Sequence, residues 1–313
     1  LGLPEKALKA TLEDLEEDLE EDTGLTVRLP LDQKGADILL ITPSADFFAE
    51  PHVDGLLGYA KVFHQSGISW TLSSKASEAA NFAMFIGSHD QMGKIAERIR
   101  DAAIELGVKR IIVGECGHAW RVAYNFWDTL VGPFDFLDQN YPIPQHICEF
   151  TYNLLQDGAL TLDKSANDHM TLTYHDSCNV SRGSRMGDTP GGQFTIPREI
   201  IKACCNNFVD MAEETIKENT FCCGGGGGLL TDDLIELRAK GASPRMSAYE
   251  QVVKDFGVTH MAAICAICKT QFSKVLPMYG FAMTDIISVH ELVSNAIVLD
   301  GEKIKENEGM QDG

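Results

Sequence analysis

The chain has 313 residues, 46 acidic against 26 basic, for a formal net charge of −20, and 44% of it is apolar. That is enough to bury a substantial core in one large domain or two smaller ones. So negative a field repels phosphate backbones and anionic lipid, and no uncharged apolar run reaches the roughly 20 residues of a membrane helix, so neither nucleic acid nor a direct membrane span is expected. The start, Leu1-Gly2-Leu3-Pro4, is neither a signal peptide nor a Met start, and the chain reads as truncated or processed.

Residues 5–22 predict a helix whose Leu8, Leu12, Leu15 and Leu19 form one apolar stripe, with acidic residues on the other faces. The leucines dock this helix on the body of the chain, with a partner subunit as the alternative. From Gly35, short apolar strands alternate with amphipathic helices. Strands are predicted over Asp37–Thr42, Ala83–Ile86, Arg110–Val113, Met170–Tyr174, Thr220–Cys222 and Thr259–Ile264. Helices are predicted over Asp54–Gln65, Lys94–Leu106, Pro197–Lys217 and Ser243–Phe256. This alternation implies an α/β fold with parallel sheets. A faint internal repeat matches Ile38–Ser44 with Leu172–Cys178, Phe82–Gly87 with Thr220–Gly224, and Arg110–His118 with Met261–Lys269. The expected organisation is an N-terminal helix and linker (1–34), two similar Rossmann-like lobes related by a pseudo-twofold (35–165 and 166–300), and a polar tail (301–313).

The chain holds nine cysteines, an odd number that argues against a disulfide framework in a large acidic chain without a signal peptide. Five of them fall at strand ends in the second lobe: Cys178, the pair Cys222-Cys223, and Cys265 and Cys268. Parallel strands deliver their carboxyl ends to one rim, where α/β sheets place ligands. A structural zinc uses four ligands, and a thioredoxin-like CxxC uses two. An iron–sulfur cluster spreads several irons over a few ångströms and so can use adjacent cysteines. Gly224, Gly225 and Gly226, within a run of five glycines, let the backbone approach a bulky cofactor and aim N–H groups at sulfur. Of the remaining cysteines, Cys148 reads as a buried thiol, and Cys204-Cys205 as a helix pair with one member in the core and the other half-exposed.

The string HDSCNVSR at 175–182, with Cys222-Cys223-Gly224 and Cys265-Ala266-Ile267-Cys268, resembles the cysteine-rich CCG domain. That family includes heterodisulfide reductase catalytic subunits and the iron–sulfur subunits of glycolate, lactate and glycerol-3-phosphate oxidation. FCCGGGGGLL at 221–230 and VGECGHAW at 113–120 bring the resemblance closest to the heterodisulfide-reductase-like subunit of the membrane complex that serves dissimilatory sulfite reductase. It spans roughly residues 37–298. It implies that Cys178, Cys222, Cys223, Cys265 and Cys268 hold one noncubane [4Fe-4S] cluster that cleaves or forms disulfides. It also implies a small sulfur-carrier protein as substrate, a membrane quinone-interacting subunit and other iron–sulfur subunits as partners, and a cytoplasmic location on the inner face of the membrane. The first lobe has Pro43-Ser44 and Ile86-Gly87 where the family's cysteines would stand, so a second cluster is not expected. The ferredoxin-like cysteine runs of full-length relatives are not in this sequence.

Several residues near the expected site have two readings. Glu115 and His118 supply protons, or mark the remnant of a lost cluster site together with Cys116, which otherwise contacts substrate sulfur. His175 supplies protons or caps the turn before Cys178. Arg182 neutralises cluster charge, holds a carboxylate or forms a surface ion pair. Asp176 is a turn or cap residue, and Ser243-Pro244 reads as a helix start. Two other functions fit the same cysteines: an electron-transfer subunit between a hydroxyacid flavoprotein and quinone, and a zinc-stabilised interaction module. An iron–sulfur redox sensor is a third.

Overall fold

The computed structural model describes residues 4–300 apart from 48, 50, 77, 80, 140–143 and 229; the expected tail 301–313 lies outside the described residues. Helix α1 (Glu5–Thr23) buries Leu8, Leu12, Leu15 and Leu19 and turns its acidic faces to water. Burial of each leucine contributes roughly 1.5–3 kcal/mol, which holds a helix carrying this much like charge.

The first half continues with β1 (Ile38–Ile41), α2 (His52–Ser66), β2 (Trp70–Thr71), α3 (Asn81–Phe85), α4 (His89–Leu106), β3 (Arg110–Val113), α5 (Gly117–Val131), β4 (Gln145–His146) and α6 (Ile147–Gln156). The second contains β5 (Leu172–His175), α7 (Cys178–Ser181), α8 (Gly192–Cys204), α9 (Ile235–Phe256), β6 (His260–Ala263), α10 (Ala266–Val275), β7 (Ile286–Ser288) and α11 (Val289–Ala296). Two all-parallel sheets result, in the orders β2-β1-β3-β4 and β5-β6-β7.

The halves repeat one plan. Ile38–Ile41 pairs with Arg110–Val113 in the first, and Leu172–His175 with His260–Ala263 in the second. A single parallel bridge, Leu172 to Phe208, stands where β2 flanks β1. The chain enters α6 directly from β4, and α11 directly from β7. One apolar cluster runs through both halves, from Leu8 on α1 to Leu299, and a second, from Met211 to Ile286, lies within the second half and includes Cys223, Cys265 and Cys268. Helices α2 and α11 approach so closely that a Cβ on Gly58 would lie 2.0 Å from the His290 carbonyl oxygen.

Four predicted elements differ. Ala83–Ile86 lies in and beyond the short helix α3, because a brief apolar run carries no period that separates strand from helix. Thr220–Cys222 is not a strand: the Thr220 carbonyl accepts from Arg182 Nη1, not from a neighbouring strand. The helix predicted from Pro197 starts at Gly192 and stops at Cys204, because residues 206–209 leave it to run beside β5, where the Asn207 carbonyl accepts from Leu172 N. Helix α9 starts at Ile235 and runs through Pro244, so Ser243-Pro244 is helix interior and not a start.

Candidate metal centre

The carboxyl ends of β5 and β6 aim at one rim, and three helices start there. Cys178 opens α7, Cys265 is the N-cap of α10 with Cys268 in its first turn, and Cys116 is the N-cap of α5 in the other half. Cys222-Cys223 arrives on an irregular segment before the glycine run. The thiols interact pairwise in one unbroken series: Cys178 with Cys222, Cys222 with Cys223, Cys223 with Cys268, Cys268 with Cys265, and Cys265 with Cys116, the Cys223 and Cys268 sulfurs lying within 4.8 Å of each other and of a His175 nitrogen. The five cysteines picked from the sequence are thus brought together, and Cys116 joins them as a sixth sulfur. All are free thiols; Cys222 is exposed, Cys178 half-buried and the others buried.

The environment favours sulfur anions. The N-terminus of α10 presents its positive dipole end at Cys265. Gly224 N donates to Cys222 Sγ at 3.3 Å, and Gly225 N to Cys223 Sγ at 3.4 Å. Bonds from Cys178, Cys223 and the Gly224 amide hold the Cys222 thiol far below its ordinary value. Cys265 is likewise pushed down, by Cys116 and Cys268 and then His118. Their partners Cys178, Cys223 and Cys268 are pushed up, since crowded thiols do not ionise together.

The proposed proton donors differ in their surroundings. Asn179 Oδ1 accepts from Arg121 Nη1 at 3.0 Å, which fixes its amide so that Nδ2 donates to His118 Nε2 at 2.8 Å. That leaves the His118 Nδ1–H facing Cys265 Sγ at 3.6 Å. His118 also meets Phe85 edge-on, with ring centroids 4.6 Å apart. His175 is buried, packs edge-on against Phe272 and, among the described residues, has no hydrogen-bond partner on either nitrogen, so it caps no turn there. Burial, then the Arg245 charge, pushes it down to about 3, and it stands neutral beside Cys223 and Cys268.

Glu115 is not placed as a proton donor. It is fully buried and receives Lys269 Nζ at 3.2 Å, His290 N at 2.8 Å and the Ser288 hydroxyl, with His290 Nδ1 at 2.7 Å. Burial alone would raise its carboxyl, but Lys269 and His290 outweigh that and hold it well below the usual range. It ties the first half to β7, α10 and α11. Cys116 is fully buried, so it offers no open face to substrate; its Sγ accepts from Ala119 N at 3.5 Å. Arg182 is exposed and pairs with no carboxylate among the described residues: its Nη1 donates to the carbonyls of Glu218 (3.0 Å) and Thr220 (2.7 Å), which clamps the approach to Cys222. Asp176 is more than a turn residue, since it takes a two-pronged ion pair from Arg198 at 2.8 and 2.7 Å. Cys148 is buried, and both Cys204 and Cys205 are buried, so neither of that pair is half-exposed. Glu115, Cys148 and His290 also cluster, but the Glu115 oxygens and both His290 ring nitrogens are already engaged, and the Lys269 charge opposes a cation there.

Arg121, Asn179, Lys269 and Arg245 were not singled out from the sequence. The first two acquire their role only when α5 meets α7 across the halves. Lys269 alone left a trace, as a charge within a buried first turn.

The residues fit a polynuclear iron–sulfur cofactor. Two unpartnered buried nitrogens of His175 lie by Cys223 and Cys268, and two backbone N–H groups point at sulfur. The surrounding backbone is cut close: a Cβ on Gly225 would lie 3.3 Å from Cys223 Sγ, and one on Gly117 3.4 Å from Cys265 Sγ.

No protein-family model matches the sequence. The chain is 36% identical over 97% of its length to an Hdr-like menaquinol oxidoreductase iron-sulfur subunit of Archaeoglobus profundus, and 35% identical over 98% to iron-sulfur subunit 2 of the same type in Archaeoglobus fulgidus. It spans 58% and 60% of those proteins' own lengths. It is also 24% identical, over 77% of its length and 54% of that protein, to a dihydromethanophenazine:CoB–CoM heterodisulfide reductase component of Methanosarcina mazei. Among the described residues, no helix is long and apolar enough to cross a membrane.

Proposed function

With relatives named as Hdr-like iron–sulfur oxidoreductase subunits, we propose that this chain reduces or forms a disulfide or trisulfide on a small sulfur-carrier protein. Cys178, Cys222, Cys223, Cys265 and Cys268 hold one noncubane [4Fe-4S] cluster, residues 166–300 form the cluster lobe, and residues 35–165 form a lobe that has lost its own. Electrons are exchanged with quinone through a membrane subunit and other iron–sulfur subunits, in dissimilatory sulfur metabolism on the cytoplasmic face. The single observation that carries this reading is the unbroken series of sulfurs from three distant segments, supported by glycine amides.

When bound, the cluster supplies electrons one at a time, whereas an S–S bond takes two electrons and two protons to give two thiols. The chain's part is access, orientation and proton supply. Cys222 is the exposed member of the set, beside the exposed Phe221, so an incoming sulfur meets the centre there. Arg182 fixes the segment that carries Cys222. His118 holds a proton on Nδ1 toward Cys265, kept there by Asn179 and Arg121.

Electron paramagnetic resonance of anaerobically prepared protein, with and without a thiol-bearing carrier, tests this. We expect a signal that appears only with the thiol and is lost in Cys222→Ser. A cluster signal indifferent to every thiol and disulfide donor identifies an electron-transfer subunit or a sensor instead.

A further inference from the structure

Helix α9 carries a charge that the mechanism above does not use. Arg245 is fully buried. Its Nη1 meets Met211 Sδ at 2.8 Å, and its Nη2 donates to the Thr215 carbonyl and to Thr220 Oγ1 at 2.9 Å, while Nε has no partner among the described residues. None of these groups is an anion. The nearby carboxylate, Asp176, is already held in both oxygens by Arg198, which also takes Asp210. Asp176 thus acts on Arg245 through its charge and not through a hydrogen bond, and a guanidinium out of water with no anion in direct contact is poorly repaid by neutral hydrogen bonds.

After Asp176, the groups in its field that can carry negative charge are the sulfurs of Cys268 and Cys223, and Arg245 in turn acts on His175, which clusters with both. The two chain segments that Arg245 binds, at Thr215 and Thr220, are those that lead into Cys222-Cys223. Its side chain also lies over the ring of Phe221, 5.8 Å from the centroid.

Building on the iron–sulfur reading, we propose that Arg245 is a positioning residue that supplies the counter-charge of the thiolate-held centre. It neutralises part of the negative charge that Cys223 and Cys268 carry as ligands, and so raises the midpoint potential of the centre. Reduction adds a negative charge, which a fixed positive neighbour favours.

The test is a redox titration of the loaded protein, followed by electron paramagnetic resonance, with iron and acid-labile sulfide measured on the same samples. Wild type is compared with Arg245→Gln and Arg245→Lys. The Gln variant is expected to titrate at a more negative potential, and the Lys variant, which keeps the charge but loses the fork to Thr215 and Thr220, close to wild type. A Gln variant that keeps its iron and the wild-type potential overturns the inference, and so does a Lys variant shifted as far as Gln. Should the Gln variant fail to fold or load, Lys decides: loading at the wild-type potential supports the charge role, and the same failure in Lys makes Arg245 a structural strut. A wild-type chain that takes up zinc and no sulfide overturns the site reading itself. A loaded wild-type chain indifferent to Arg245→Gln overturns this inference alone.

Discussion

Glu115→Gln lowers the unfolding free energy by about 3–5 kcal/mol, the usual cost of removing one partner of a buried ion pair. Both Glu115 and Lys269 have fully buried side chains, 3.2 Å apart. Glutamine keeps the shape and can still accept from His290 N, but it leaves the Lys269 ammonium without a counter-charge. Lys269→Met is expected to cost a comparable amount for the mirrored reason. The double variant Glu115→Gln/Lys269→Met recovers a large part of either loss, because no uncompensated charge then remains. Urea unfolding of the four proteins measures this; single losses below about 1 kcal/mol, or strictly additive ones, would show that the pair does not join the halves. Lys269 follows Cys268 directly, so the pair also fixes the start of α10.

Gly224→Ala is expected to remove most of the bound iron. Gly224 has φ +87°, and a Cβ there would lie 2.3 Å from the Arg238 carbonyl oxygen and 2.7 Å from Ala242 N, both backbone atoms of α9 that cannot move aside. The glycine loop must lift, and with it the Gly224 and Gly225 amides that reach Cys222 and Cys223. Gly280→Ala is the control. Its φ of +82° imposes the same backbone strain, roughly 1 kcal/mol, with nothing within 4 Å of the new methyl. That variant melts lower but keeps its iron. Equal iron in the two variants would mean that the loop's approach to α9 does not shape the site.

Much of this architecture is legible in the sequence. The runs at 38–41, 110–113, 172–175 and 260–263 are apolar strands that pair in register across each half, as the internal repeat implied. The convergence of cysteine segments was legible because parallel strands put their carboxyl ends on one side. Thr220–Cys222 misled because its β-prone composition is used to present sulfur, with side chains from elsewhere taking the place of strand partners. Cys116 reads from the sequence as a remnant or as a contact to substrate sulfur; it occupies the N-cap of α5 as Cys265 does that of α10, and the two thiols interact because α5 and α10 come together from different halves. The Glu115–Lys269 and Arg121–Asn179 pairings join residues 154 and 58 positions apart, and nothing local in the sequence marks them.

The most direct measurement is iron, zinc and acid-labile sulfide on the chain prepared without oxygen. Four irons and four sulfides per chain, about one [4Fe-4S] cluster, is the predicted result, with both lost in Cys223→Ser. Stoichiometric zinc without sulfide would contradict it.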